Sequence, residues 1–202
     1  MESKKYLDDL SSIKDLMSRS SRFISLSGIS GIMAGIYALT GAAITYFYLL
    51  PTAGGHLTLH SWNFKIIIGI LIAVAALSVI TAFLLTSKKA KKNKEKIWDD
   101  TTKRLLISFL VPLVAGGIYI LIKLNSQHYG LTGSLMLIFY GLALINASKY
   151  TLSNIKYLGY AELILGLICA AFPGYGFWFW IIGFGLLHII YGSLIYLKEE
   201  KG

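Results

Sequence analysis

Six long apolar stretches, 23–50, 64–86, 105–125, 130–148, 155–172 and 177–197, alternate with short polar gaps along the chain. Each comes close to the roughly 20 residues that a helix needs to cross a hydrocarbon core. The pattern predicts an all-α, polytopic membrane bundle of six transmembrane helices, arranged as three hairpins and filling residues 23–197. Little chain remains for a soluble domain. Residues 1–22 follow a different rhythm, with Tyr6, Leu10, Ile13 and Met17 at 4-3-4 spacing and charges between them. That spacing predicts a short amphipathic helix lying on the inner membrane surface or under the bundle. The first apolar stretch is too long for a signal-peptide core and lacks a cleavage pattern, so no cleavable signal is expected.

Composition agrees with this picture: 202 residues are 55% hydrophobic and 14% charged, with a mean hydropathy of +0.65. The net charge of +9 invites a nucleic-acid reading, but the placement of the charges argues against it. Five basic residues precede the first stretch, eight lie between Lys88 and Arg104, two are Lys149 and Lys156, and two follow Leu197, so 17 of 19 fall on one side. Lys65 and Lys123 sit at the opposite ends of their stretches, where long side chains snorkel. The positive-inside rule then puts both termini, the basic linker 87–104 and the tail 198–202 in the cytoplasm of a multi-pass inner-membrane protein. Residues 88–96, with Lys88, Lys89, Lys91, Lys92, Lys94 and Lys96, suit anionic lipid headgroups. With Trp98 the sole nearby aromatic, this run is no nucleic-acid site.

Glycines and two ionisable residues mark the candidate site. Gly159, Glu162 and Gly166 lie at i, i+3 and i+7, and Gly185, His188 and Gly192 repeat that spacing, so each ionisable group shares a face with two glycines. Small residues let membrane helices approach closely, and an ionisable residue at membrane depth is a functional candidate. The last two helices are therefore expected to pack through these faces, across the short turn Pro173-Gly174-Tyr175-Gly176. Counted from the cytoplasmic ends, Glu162 lies about 9 Å deep and His188 about 13 Å deep. Side chains lean toward their own helix N-terminus, which would separate the two and admit a water or third group. Arg104 and Asn146 are the further candidate partners of Glu162, and the partner decides between a proton switch and a structural bridge. Ser27, Gly31 and Gly35 form another close-packing stripe, Pro112 predicts a kink, and Gly116-Gly117 admit a neighbouring helix.

Other chemistry is sparse. His56 and His60 are spaced to share a helix face and are weak metal candidates, but no acid or cysteine on that side completes a site; with His128 they are also candidate pH sensors. Cys169 alone excludes an internal disulfide. A weak repeat relates Tyr129-Gly130 through Tyr150 to Tyr175-Gly176 through Tyr196, and both copies run in the same sense. They do not give the inverted symmetry of many transporters.

The stretches Ser21-Arg22-Phe23-Ile24-Ser25-Leu26-Ser27-Gly28, Thr101-Thr102-Lys103-Arg104-Leu105-Leu106, 137–150 (LIFYGLALINASKY) and Gly183-Phe184-Gly185-Leu186-Leu187-His188 together resemble a family of small six-span bacterial inner-membrane proteins of uncharacterised activity. The resemblance covers nearly the whole chain and implies the fold without an activity. In hairpin pattern the chain is also similar to HdeD-type acid-stress membrane proteins. No catalytic, nucleotide-binding or cofactor motif occurs. The sequence thus points to a non-enzymatic membrane protein with a regulatory, stress-related or partner-stabilising role, and to a homo-oligomer or a membrane-protein partner. The alternative is a small proton-responsive transporter or channel using Glu162 and His188.

Overall fold

A computed structural model describes residue 6 and residues 27–53, 61–92, 97–151 and 154–200. Nearly all of the predicted amphipathic segment, His56, His60 and positions 93–96 lie outside the described residues. Within them the chain is helical, with no strand. We label α1 Gly28–Ile44, extended by a π turn Thr45–Leu49; α2 Trp62–Lys92; α3 Asp100–Asn125; α4 Thr132–Ala147; and α5 Ile155–Ala171. α6 consists of Gly176–Trp180, a π segment Ile181–Leu187 and His188–Glu200.

Four of these are long and apolar enough to cross a membrane: Gly28–Leu49, Trp62–Lys92, Asp100–Asn125 and Gly176–Lys198. α4 and α5 have 16 and 17 residues. At 1.5 Å per residue they span about 24–26 Å, short of the roughly 30 Å hydrocarbon core. Two helices outrun their apolar stretches. α2 continues through Lys88, Lys89, Lys91 and Lys92, which sit in its last turns where cations suit the helix dipole. α3 begins at Asp100, not near 105, because Asp99 caps it: its carboxylate accepts from the Thr102 backbone N–H at 2.7 Å and from the Thr102 hydroxyl at 2.8 Å. The helix runs on through Pro112.

α1 packs between α2 and α6, while α4 packs between α3 and α5. α6 joins the two groups, its first half resting on α4 and α5. Glycine determines these pairings. A Cβ on Gly192 would stand 2.6 Å from the Ile32 nitrogen and 2.7 Å from the Gly28 carbonyl oxygen, and one on Gly35 would stand 2.6 Å from the Gly185 carbonyl oxygen. Gly31 likewise faces Gly192 at 3.1 Å. α1 and α6 therefore cross antiparallel, backbone on backbone. The same holds for α4 and α5, where Gly141 meets the Gly159 carbonyl and Gly166 meets Ile138. The expectation that α5 and α6 pack on each other through Gly159, Gly166, Gly185 and Gly192 is corrected here. These glycines do admit neighbours, but α5 presents its own to α4 and α6 presents its own to α1.

The apolar window of α2 has no buried residue, and Ile72, Val79, Phe83 and Leu84 stand exposed along it. Val111, Val114 and Leu121 do the same on α3. In a membrane these faces meet lipid. The interior is narrow: Ala38, Ala42 and Trp180 make one cluster, and Leu144, Ala147, Ile155 and Leu158 another. The candidate site lies where α4, α5 and α6 converge.

Candidate functional site

Glu162 on α5 is fully buried, and His188 on α6 is 6% exposed. The Nδ1 of His188 lies 3.5 Å from the Glu162 Oε1, so the two residues that the glycine spacing singled out do come together directly. His188 leans toward the N-terminus of α6, as a helical side chain should. In doing so it reaches the Gly183 carbonyl, 3.0 Å from Nδ1. A Cβ on Gly183 would in turn stand 2.5 Å from the Glu162 Oε2. The lean expected to separate the pair thus does not keep His188 from the Glu162 carboxyl.

The hydrogen-bond directions follow from the partners. A carbonyl only accepts, so Nδ1 carries a hydrogen and donates it to Gly183. In the neutral ring Nε2 then accepts, and the Tyr140 hydroxyl of α4 lies 2.8 Å from it. Tyr140 was not singled out by sequence, where it reads as one more aromatic in an apolar run. Its ring also contacts His188 at 5.4 Å and Phe184 at 5.0 Å. Phe184 stacks on His188 at 5.9 Å and meets Trp180 at 5.2 Å, so one aromatic file runs along α6 from Trp180 to His188. The π segment matters to this arrangement. Such wide turns are uncommon and concentrate at functional positions.

Glu162 is left short of partners: neither carboxyl oxygen has a hydrogen bond among the described residues. Buried polar atoms are normally satisfied, and a buried charge is costly without both an opposite charge and hydrogen bonds. Gaining or losing a proton here would change which of His188, Gly183 and Glu162 are bonded. The indole N–H of Trp180 and the hydroxyl of Tyr191 are likewise buried without a partner among the described residues.

The other predicted partners lie elsewhere. The Asn146 amide donates to the Ser108 carbonyl at 2.8 Å, tying α4 to α3, and its oxygen accepts from Lys149 at 3.4 Å. Arg104 is exposed at the start of α3. Arg104 is kept from Glu162 because α3 packs on α4 and not on α5, and the Asn146 amide is turned toward α3. His128 is exposed in the turn between α3 and α4. Ser134, which the sequence did not mark, is buried on α4 and donates to the Gly166 carbonyl of α5 at 2.9 Å. No family model, no curated protein and no solved structure matches the chain.

Proposed function

We propose that this chain is a non-enzymatic, six-span protein of the bacterial inner membrane with a regulatory role, and that its responsive element is the Glu162–His188 pair backed by Tyr140. One observation supports this above the rest: a fully buried carboxyl group lies 3.5 Å from a buried imidazole and has no hydrogen bond among the described residues. In a permanent structural bridge both oxygens would be satisfied. A pair that is complete in only one protonation state is instead a two-state element that proton supply can bias.

Placement of the basic residues supports the topology. Lys88, Lys89, Lys91 and Lys92 end α2, Lys103 and Arg104 lie near the start of α3, Lys149 lies between α4 and α5, Lys156 lies in the first turn of α5, and Lys198 lies in the last turn of α6. Six crossings bring all of these to the cytoplasmic face, where anionic lipid headgroups are the natural partners of the α2 lysines. The short α4 and α5 fit a crossing because they pack on each other inside the bundle and the bilayer adjusts to modest mismatch.

Infrared difference spectroscopy of the protein in lipid bilayers, recorded between acidic and neutral buffer, tests the switch. A carboxylic C=O band should change with pH in the parent and be missing from Glu162→Gln. Absence of any Glu162-dependent band removes the switch. Proton-driven solute flux into proteoliposomes that depends on Glu162 would replace the regulatory reading with a transporter.

A further inference from the structure

A cavity of about 310 Å³ opens between α1, α2, α4 and α6, at the end of the bundle away from most of the lysines. Its walls include Ala42 of α1, Ile70 and Leu71 of α2, Met136 of α4, and Phe177 and Trp180 of α6. Among the described residues no charged side chain lines it. The threonine hydroxyls at its edge spend their hydrogens on their own chain, Thr45 on the Gly41 carbonyl and Thr132 on the Tyr129 carbonyl, each at 2.9 Å. Apart from the buried indole N–H of Trp180, a polar solute would therefore find little to replace its hydration, whereas each buried methylene gains about 0.8 kcal/mol of transfer free energy over water.

The surrounding helices indicate where an occupant comes from. Phe64 at the start of α2 and Tyr129 just before α4 meet edge to face, with ring centroids 5.9 Å apart, across the outer mouth. Below that contact α2 packs chiefly on α1, which leaves the gap between α2 and α4 unsealed toward the membrane. Exposed aromatic residues, Tyr46, Phe47, Tyr48, Trp62 and Trp178, ring the same end. Such belts mark headgroup level, so the cavity lies just beneath it, among the upper acyl chains.

We propose that this cavity seats one acyl chain of a membrane phospholipid, entering sideways between α2 and α4. The proposal is independent of the Glu162 switch, and its experiment reads occupancy, not protonation. A protein retaining Trp180 as its sole tryptophan, with Trp62, Trp98 and Trp178 replaced by Phe, is placed in phosphatidylethanolamine–phosphatidylglycerol vesicles whose acyl chains carry bromine. Trp180 is nine-tenths buried yet lines the cavity, so its emission should be quenched by a seated chain. Two glycines allow a controlled comparison, because a Cβ at either meets nothing within 4 Å: Gly130, which lines the cavity, and Gly117, on α3 and not part of the lining. Gly130→Leu should remove most of the quenching and Gly117→Leu should leave it. No quenching, or equal quenching in all three proteins, overturns the proposal. Should Gly130→Leu not fold, the parent protein in vesicles containing a diazirine-bearing phospholipid decides. Label on Leu71 and Met136 supports the seat; label confined to outward residues such as Ile72 and Val111 overturns it.

Discussion

Replacing Gly183 by Ala adds one methyl group at the point where α6 lies flat on the Glu162 carboxyl. That methyl would contact the Leu137 Cδ2, stand 2.5 Å from the Glu162 Oε2 and lie 3.3 Å from its Cδ. Leu137 is fully buried and so is Glu162, so neither has open space to retreat into. Overpacking of this kind costs about 1–3 kcal/mol. Ala is favoured over Gly inside a helix by about 0.5–1 kcal/mol, which offsets part of the cost. The net expectation is a loss of up to about 2.5 kcal/mol, the upper end of the difference of those two ranges. It can be read from unfolding of the purified protein in mixed micelles with increasing sodium dodecyl sulfate. Gly117→Ala is the reference, since its methyl meets nothing within 4 Å and only the helix preference remains. The decisive measurement is the double variant with Glu162→Ala. Shortening Glu162 clears the side chain that the new methyl strikes, so the two substitutions should couple by at least about 0.5 kcal/mol, the lower end for residues in contact. Additive effects, or a Gly183→Ala as stable as Gly117→Ala, would show that the carboxyl does not rest on Gly183 and would remove the geometry from which the switch is argued.

Two further outcomes test the frame around the site. Asp99→Ala should lower stability by about 1 kcal/mol through loss of the α3 cap, and Asp99→Asn should retain most of it, in the same unfolding assay; equal effects of the two would argue against the cap. With Cys169 replaced by Ala, a single cysteine at His128 should react with a membrane-impermeant reagent in intact cells, whereas one at Lys103 should not; labelling at Lys103 would invert the topology.

The sequence was most legible where a residue's identity carries its own physical cost. Glu162 and His188 stand out because nothing else ionisable lies so deep in the apolar stretches, and they meet. Arg104 and Asn146 were chosen by depth alone. Depth fixes a level in the membrane but not an azimuth, and both residues lie on the α3–α4 side. Tyr140 has the opposite problem: a tyrosine costs little in an apolar run, so nothing in the pattern separates the one that reaches His188 from the other twelve in the chain. The π segment was hidden for a related reason. Gly183-Phe184-Gly185 allows the helix to widen there, but the side chains packed against these glycines, Leu137, Glu162 and Leu39, come from three other helices and cannot be read from the local sequence.

Glycine explains the main misreading and its remedy. A glycine face states that a backbone approaches, not which one, and a short turn between α5 and α6 suggested that the approaching backbones were each other's. Four helices carry such faces: α1 at Gly28, Gly31 and Gly35, α4 at Gly141, α5 at Gly159 and Gly166, and α6 at Gly185 and Gly192. Pairing them as α1 with α6 and α4 with α5 brings backbone to backbone within each pair, while the two pairs meet through side chains over most of their seam and through backbone only at one end, where Gly133 of α4 meets Gly176 of α6. That seam is where His188, Phe184 and Trp180 of α6 meet Tyr140 of α4 and Glu162 of α5. Backbone-on-backbone crossings have no side-chain rotamers through which to adjust, whereas a seam of rings and one carboxyl has several. Any rearrangement between two packed states should therefore fall in the side-chain part of this seam and not at its Gly133–Gly176 end. The Glu162–His188 pair lies in that part of the interface.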